Sequence, residues 1–138
     1  MPLPDAALAD ILRSSRRIAV VGLGDKPHRP AYGVAAYLQR AGYRIVPVHP
    51  NARSVLGEPV YPDLESAAAA AGPIDVVNVF RRSETIPELV AGCVAVKPRL
   101  VWLQVGIRHD PSARLIEAAG IPVVQDRCLA VDHQFMGI

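Results

Sequence analysis

The apolar residues of this chain fall into short runs rich in valine and isoleucine, separated by longer segments with helical periodicity. Short apolar runs bounded by glycine and proline predict strands, and the longer amphipathic segments predict helices. Strands are expected at Arg17 to Gly22, Arg44 to Val48, Asp75 to Phe80, Leu100 to Gln104 and Pro122 to Gln125, with a short further piece at Pro59 to Tyr61.

Start and stop signals delimit the helices between these strands. Pro30 suits the first position of a helix, and Gly42 suits the left-handed position after its end. Thr85 and Glu88 have the spacing of a capping box. Helices are therefore expected at Asp5 to Ser14, Pro30 to Gly42, Leu64 to Ala71, from Thr85 onward, and Asp110 to Gly120.

Strands that alternate with helices predict a doubly wound, Rossmann-like α/β fold with five to six parallel strands and helices on both faces. Right-handed crossovers favour the strand order 3-2-1-4-5-6, with the piece at Pro59 to Tyr61 as the third strand. Ligands of such sheets bind at the carboxyl ends of the strands, here between Gly22 and Phe80. A single domain over residues 1–138 is expected, with residues 1–16 forming a helix that packs on it.

Composition limits the choice of function classes. The 138 residues carry a formal net charge of only +2, without a basic stripe, so nucleic-acid binding is not expected. No apolar run reaches the ~18 residues of a membrane span. Cys93 and Cys128 are too far apart for a zinc knuckle or a redox pair, and a reducing, cytoplasmic setting is the simplest expectation.

The segment "VGLGDKPHRPAYG" has part of a dinucleotide-binding turn. Gly22 and Gly24 follow the first strand, but Pro27 stands where the fingerprint has its third glycine. The insert "DKPHRP" lengthens the turn, which can still deliver the amides of a helix N-terminus to an anion.

The segment after the second strand, "VHPNARS", lacks the carboxylate that holds the ribose of NAD. His49, Asn51 and Arg53 suit a ribose that itself carries a phosphate, as in NADP or coenzyme A. The cations expected at this rim of the sheet are Lys26, Arg29, Arg53, Arg81 and Arg82. Arginine can hold a phosphate through two parallel hydrogen bonds, so a ligand with several phosphates is indicated.

Five segments in order resemble the CoA-binding domain family, small proteins similar to the N-terminal domain of the succinyl-CoA synthetase alpha subunit. They are "VVGLGDKPHRPAYGVAAYL", "GYRIVPVHPN", "DVVNVFRR", "VWLQVGI" and "DRCLAVDH", and the resemblance covers about Asp10 to His133. It implies a Rossmann-like domain that binds coenzyme A, with the diphosphate on the turn from Gly22 to Tyr32. The synthetase's ligase activity is not transferred, because it needs a phosphorylated histidine on a further domain.

The resemblance also implies roles for single residues. Those expected at the phosphates are Gly22, Gly24, Lys26 and Arg29; those at the adenosine are Pro47, Val48 and Asn51; those at the far half of the cofactor are Phe80 and Arg81. Further cofactor-binding candidates are Leu23, Pro27, Pro30, Tyr32, Arg53, Gln104 and Gly106. This chain departs from the family at two positions of the turn. Gly24 stands where the family often has a small hydroxyl residue, and Ala31 stands where the family often has serine, so two hydroxyl donors to the phosphates are missing.

Cys128 is the candidate for a reactive residue. Arg127 could favour its thiolate near the thiol of the pantetheine arm; the alternative is a packed free cysteine, which is also the interpretation of Cys93. Asp132 and His133 fit a surface tail better than a metal site.

The function expected is non-enzymatic binding of coenzyme A, or of an acyl-CoA, through the glycine turn and the basic rim. One alternative is an NADP-dependent oxidoreductase module, and another is an interaction module that has lost its ligand. A protein partner or a homo-oligomer stays open.

Overall fold

A parallel sheet lies at the centre of the structure, a computed structural model that describes residues 3–138. Its strands are β1 (Arg17–Val21), β2 (Arg44–Val48), β5 (Val76–Val79), β6 (Leu100–Leu103) and β7 (Val123–Val124). They are hydrogen-bonded in the order β2-β1-β5-β6-β7, and every pair is parallel. A small antiparallel hairpin is formed by β3 (Ser54–Val55) and β4 (Glu58–Pro59).

Helices cover both faces of this sheet, as the Rossmann-like prediction requires. They are α1 (Asp5–Ser14), α2 (Pro30–Arg40), α3 (Leu64–Ala71), α4 (Val90–Val96), α5 (Asp110–Ala118) and α6 (Leu129–Met136), with a 3₁₀ helix at Ser83–Leu89. One core cluster holds residues of α3, α4 and α5, and the other holds residues of α1, α2 and α6.

The two cores explain why the strands lack a polar alternation. In β1, Ala19 and Val21 point into one cluster while Ile18 and Val20 point into the other, and none of the four is more than 3% exposed. A strand buried on both faces has no position for a solvated side chain. The near-continuous apolar runs in the sequence therefore follow from the double covering.

The predicted strand order is wrong at its outer end. The segment Pro59 to Tyr61 does not form a third strand of the sheet; only Tyr61 reaches β2, through one parallel bridge to Val48. The cause is a two-residue turn at Leu56 and Gly57, both with positive φ (53° and 78°), which folds this stretch back on itself as the β3–β4 hairpin. The remaining strands follow the predicted order.

The capping box expected at Thr85 is also absent. The Thr85 hydroxyl donates to the Arg82 carbonyl at 2.7 Å, inside the 3₁₀ helix, and α4 begins only at Val90. Pro87 interrupts the segment because it has no N–H for a helical hydrogen bond.

The C-terminal segment is a helix and not the surface tail that was expected around His133. The His133 ring is 4% exposed, lies edge-on to Tyr37 and Tyr43, and is hydrogen-bonded through Nδ1 to the Tyr37 hydroxyl at 2.8 Å. On the same face the Tyr43 hydroxyl donates to the Leu12 carbonyl at 2.7 Å, so α1, α2 and α6 share one polar contact network.

The N-terminal helix α1 packs against α6 and buries Leu8 and Leu12. Residues 1 and 2, which the single-domain prediction includes, lie outside the described range. Within residues 3–138 no helix has the length and apolar character needed to cross a membrane.

Candidate ligand-binding cleft

A cleft of about 1280 Å³ opens at the edge of the sheet where β1, β2, β5 and β6 end. This edge is the switch point of the doubly wound fold, since the chain passes from β1 to β2 on one side and then crosses back to β5 on the other side of β1. The cofactor-binding candidates that line the cleft are Gly22, Gly24, Lys26, Arg29, Pro30, Val48, Asn51, Phe80, Arg81, Gln104 and Gly106.

The other candidates lie outside this lining. Leu23 is fully buried in the core, and Pro47 is buried within β2. Tyr32 packs against the core on the α2 side, and Arg53 is exposed beside the β3–β4 hairpin. Pro27 is exposed in the turn before α2, and Cys128 stands directly before α6.

Gly22 ties the ends of three strands together. Its N–H donates to the Val48 carbonyl and the Phe80 N–H donates to the Val21 carbonyl, both at 2.8 Å. A Cβ atom built on Gly22, whose φ is +93°, would lie 2.3 Å from the Phe80 carbonyl oxygen. Only glycine permits this approach, so its first role is to close the turn against β5 and hold Phe80 at the cleft.

The insert after the glycines forms a tight turn that places two cations at the cleft. The Arg29 N–H donates to the Lys26 carbonyl at 3.1 Å, and Pro27 occupies the second position of that turn, which its fixed φ favours. Lys26 and Arg29 both line the cleft.

The N-terminus of α2, directly after Arg29, also borders the cleft. Pro30 and Ala31 line it, no side chain caps the helix, and the first turn contains no acidic residue. The positive end of the helix dipole is therefore not neutralised by the helix itself. Pro30 has no N–H and the Tyr32 N–H donates to the Arg29 carbonyl at 3.1 Å. Among the first three positions of α2, the Ala31 N–H is therefore the donor without a partner in the described residues. With cations nearby, this helix end is suited to an anion.

His49 adds a further donor at the same turn. Its Nδ1 accepts a hydrogen bond from the Asn51 N–H at 3.0 Å, so a neutral ring carries its proton on Nε2. That Nε2 lies 3.3 Å from the position a Cβ atom would take on Gly24. The missing side chain at Gly24 therefore leaves room for the edge of the imidazole.

Carboxylates also line the cleft, which the expectation of a basic rim did not include. The cations are Lys26, Arg29, Arg81 and Arg82, and the carboxylates are Asp25, Asp63, Glu65 and Glu88. Arg81 pairs with Glu88 at 3.5 Å, whereas Lys26 and Arg29 form no ion pair within 4.0 Å anywhere in the described chain. Arg82 likewise forms no ion pair within residues 3–138, so two of the three unpaired cations of the cleft belong to the glycine turn.

Asp63 is already engaged at the start of α3. Its carboxylate accepts the Ser66 N–H at 2.7 Å, and this hydrogen bond lowers the pKa of Asp63. The arm of the cleft between α3 and α4 is consequently acidic, with Glu65 and Glu88 beside it.

A buried amide pair under the cleft was missed in the sequence. Asn78 in β5 is fully buried and its Nδ2 lies 3.3 Å from both the Trp102 carbonyl and the Gln104 Oε1. The signal was present, since Asn78 is the one polar residue between the ends of the apolar run "DVVNVF".

The two thiols differ in surroundings. Burial and the charge of Glu65 raise the pKa of Cys93 to about 12, which leaves it unreactive. Cys128 is half-buried but outside the cleft lining. Residues 3–138 contain no group of three or more His, Cys, Asp or Glu side chains arranged to hold a metal ion.

The sequence over residues 16–134 matches the family model described as a CoA binding domain. The chain belongs to the CoA-binding domain family. Its match runs from β1 into α6 and so includes every strand and loop that lines the cleft.

Relatives of similar length match nearly the whole of this family member. The uncharacterized protein YneT of Bacillus subtilis (strain 168) is 38% identical over 128 residues, 93% of each chain. A solved structure from Thermus thermophilus has a TM-score of 0.91 at 38% identity and covers 97% of this chain and 99% of its own. A hypothetical protein from Pyrococcus horikoshii OT3 has a TM-score of 0.91 at 29% identity, covering 100% of this chain and 97% of its own.

Proposed function

We propose that this protein binds coenzyme A, or an acyl-CoA, in the cleft at the carboxyl edge of its sheet, and that it acts as a binding protein and not as an enzyme. The observation that carries the proposal is the convergence of the uncapped α2 N-terminus, Lys26, Arg29 and His49 on one end of the cleft. Membership of the CoA-binding domain family supports the choice of ligand.

The phosphates of the cofactor occupy the glycine turn in this proposal. Lys26 and Arg29 have no competing carboxylate within 4.0 Å in the described chain, so binding a phosphate breaks no existing ion pair of theirs. The Ala31 N–H at the start of α2 supplies a donor that needs no reorganisation, and His49 Nε2–H supplies another beside Gly24. His49 thereby takes the place of the hydroxyl residue that the family often has at the position of Gly24.

The size of the cleft suits an elongated ligand. At about 1280 Å³ it exceeds the ~300–1,000 Å³ typical of pockets for drug-sized molecules. Val48 and Asn51 border the adenosine in this arrangement, and the pantetheine arm crosses Phe80 toward Gly106. Val105 at that end is 62% exposed although apolar, which suits contact with an uncharged chain.

Paired substitutions test this assignment. Arg29→Ala should weaken CoA binding about tenfold or more, because a hydrogen bond to a charged group contributes ~1.5–3 kcal/mol and tenfold is ~1.4 kcal/mol. Arg40→Ala removes the same charge from the opposite, exposed end of α2 and should leave the dissociation constant within about twofold.

Calorimetric titration at two salt concentrations measures both variants. The Arg29→Ala protein should also show a shallower loss of affinity with added salt, since it forms one phosphate contact fewer. Equal affinities of the two variants for CoA would show that the glycine turn is not the phosphate site.

A further inference from the structure

The side chain of Gln104 is buried under the cleft and held in one orientation. It is 5% exposed and lines the cleft immediately after β6. Its Oε1 lies 3.3 Å from Asn78 Nδ2 and 3.3 Å from the backbone N of Leu129, the first residue of α6. If the amide were flipped, Nε2 would face Asn78 Nδ2 and the Leu129 N–H, and two donors would meet at each contact. These two partners therefore determine the orientation of the Gln104 amide.

The other half of this amide has no protein partner. Gln104 Nε2 carries two hydrogens and makes no hydrogen bond within residues 3–138, yet it is not among the buried unpaired atoms, which are Arg17 Nε and Asn78 Oδ1. It therefore keeps access to the cleft. A nearly buried donor without an acceptor carries a desolvation cost that a ligand acceptor would remove.

The surroundings of Gln104 differ from those of the glycine turn. β6 lies two strands from β1, and neighbouring strands are ~4.8 Å apart, so the two sites are separated by about 10 Å across the sheet. The cleft residues that follow Gln104 are the uncharged Val105, Gly106 and Ile107. An uncharged donor among apolar residues suits a neutral acceptor better than a phosphate.

We propose that Gln104 Nε2 donates to an amide carbonyl of the pantetheine arm and thereby makes the cleft selective for ligands that carry this arm over the bare nucleotide. The inference rests on the proposed binding of coenzyme A. Asn78 and the N-terminus of α6 act as positioning groups, because they hold Oε1 and so direct Nε2 into the cleft.

The test compares two ligands on the intact protein. Coenzyme A carries the pantetheine arm, and adenosine 3′,5′-bisphosphate does not. Gln104→Glu keeps an acceptor for Asn78 and Leu129 but replaces the donor by a carboxylate. It should weaken CoA binding about tenfold or more and change bisphosphate binding by less than about twofold, as measured by calorimetry.

Gln134→Glu is the matched control, since it makes the same change on the exposed face of α6 and should leave both affinities unchanged. Gln104→Met removes the donor without adding charge, and it replaces Gln104→Glu if that variant fails to fold. It should also lose more affinity for CoA than for the bisphosphate, by a smaller factor. An unchanged affinity for CoA, or an equal loss for both ligands, overturns the role of Gln104. Failure of the parent protein to bind CoA would instead overturn the proposed function.

Discussion

Replacing Gly22 by alanine tests the turn that closes β1 against β5. The new methyl carbon would stand 2.3 Å from the Phe80 carbonyl oxygen, whereas ordinary contacts begin at 3.4 Å, so this oxygen or the turn must move by about 1 Å. The moving parts are backbone and cannot rotate away. The hydrogen bonds from Gly22 to Val48 and from Phe80 to Val21 lie at this point and would be disturbed together.

The cost has two parts. A residue with a side chain at φ +93° is strained by ~1–2 kcal/mol. Disturbing two backbone hydrogen bonds adds ~1 kcal/mol for each. Gly22→Ala should therefore lower the free energy of unfolding by about 3–4 kcal/mol, a large share of the ~5–15 kcal/mol of a typical protein.

Gly42→Ala separates strain from collision. Gly42 has φ +106°, but nothing lies within 4 Å of its Cβ position, so only the ~1–2 kcal/mol of backbone strain applies. Urea denaturation followed by circular dichroism gives both values. Gly22→Ala should be the more destabilised by about 2 kcal/mol, and equal losses would refute the close approach to Phe80.

Two further predictions concern histidines. Gly24→Ser should weaken CoA binding because its side chain meets the His49 ring at about 3.3 Å. Adding His49→Ala makes room for the serine hydroxyl and should recover affinity. Additive losses of the two changes in calorimetry would contradict this pairing. Burial lowers the pKa of His133, so the unfolded chain binds more protons than the folded chain as the pH falls. The contribution of the neutral ring to the free energy of unfolding is complete above pH ~6.5 and is lost as the pH falls below that value. Urea midpoints at pH 7.5 and 5.5 should therefore differ more for the parent than for His133→Gln, and equal differences would exclude this role.

Local patterns in the sequence were sufficient for most of the fold. The strands are marked by apolar runs, and the turn before α2 is marked by Gly22, Pro27 and Pro30, whose conformational preferences act within a few residues. The cations Lys26 and Arg29 could be placed because the carboxyl ends of parallel strands must meet at one edge.

The errors have non-local causes. Helix α6 was missed because its buried face includes the polar His133 while Phe135 is 87% exposed, which inverts the usual apolar pattern. Tyr61 joins β2 by a single bridge because the hairpin before it takes up the rest of the segment.

The carboxylates of the cleft were also beyond the reach of the sequence. Glu65 belongs to α3 and Glu88 to the 3₁₀ helix, and only the packing of α3 against α4 brings both to one cavity. The orientation of Gln104 likewise depends on Asn78 and Leu129, which are 25 or 26 residues away in the chain.

Calorimetric titration of the reduced parent protein with CoA and, separately, with NADP tests the central claim most directly. We expect saturable binding of CoA with one site per chain and much weaker binding of NADP, which carries comparable phosphates but no pantetheine arm. Binding of NADP without a response to CoA would contradict the assignment and favour hydride chemistry, and silence toward both ligands would leave the cleft without a nucleotide role.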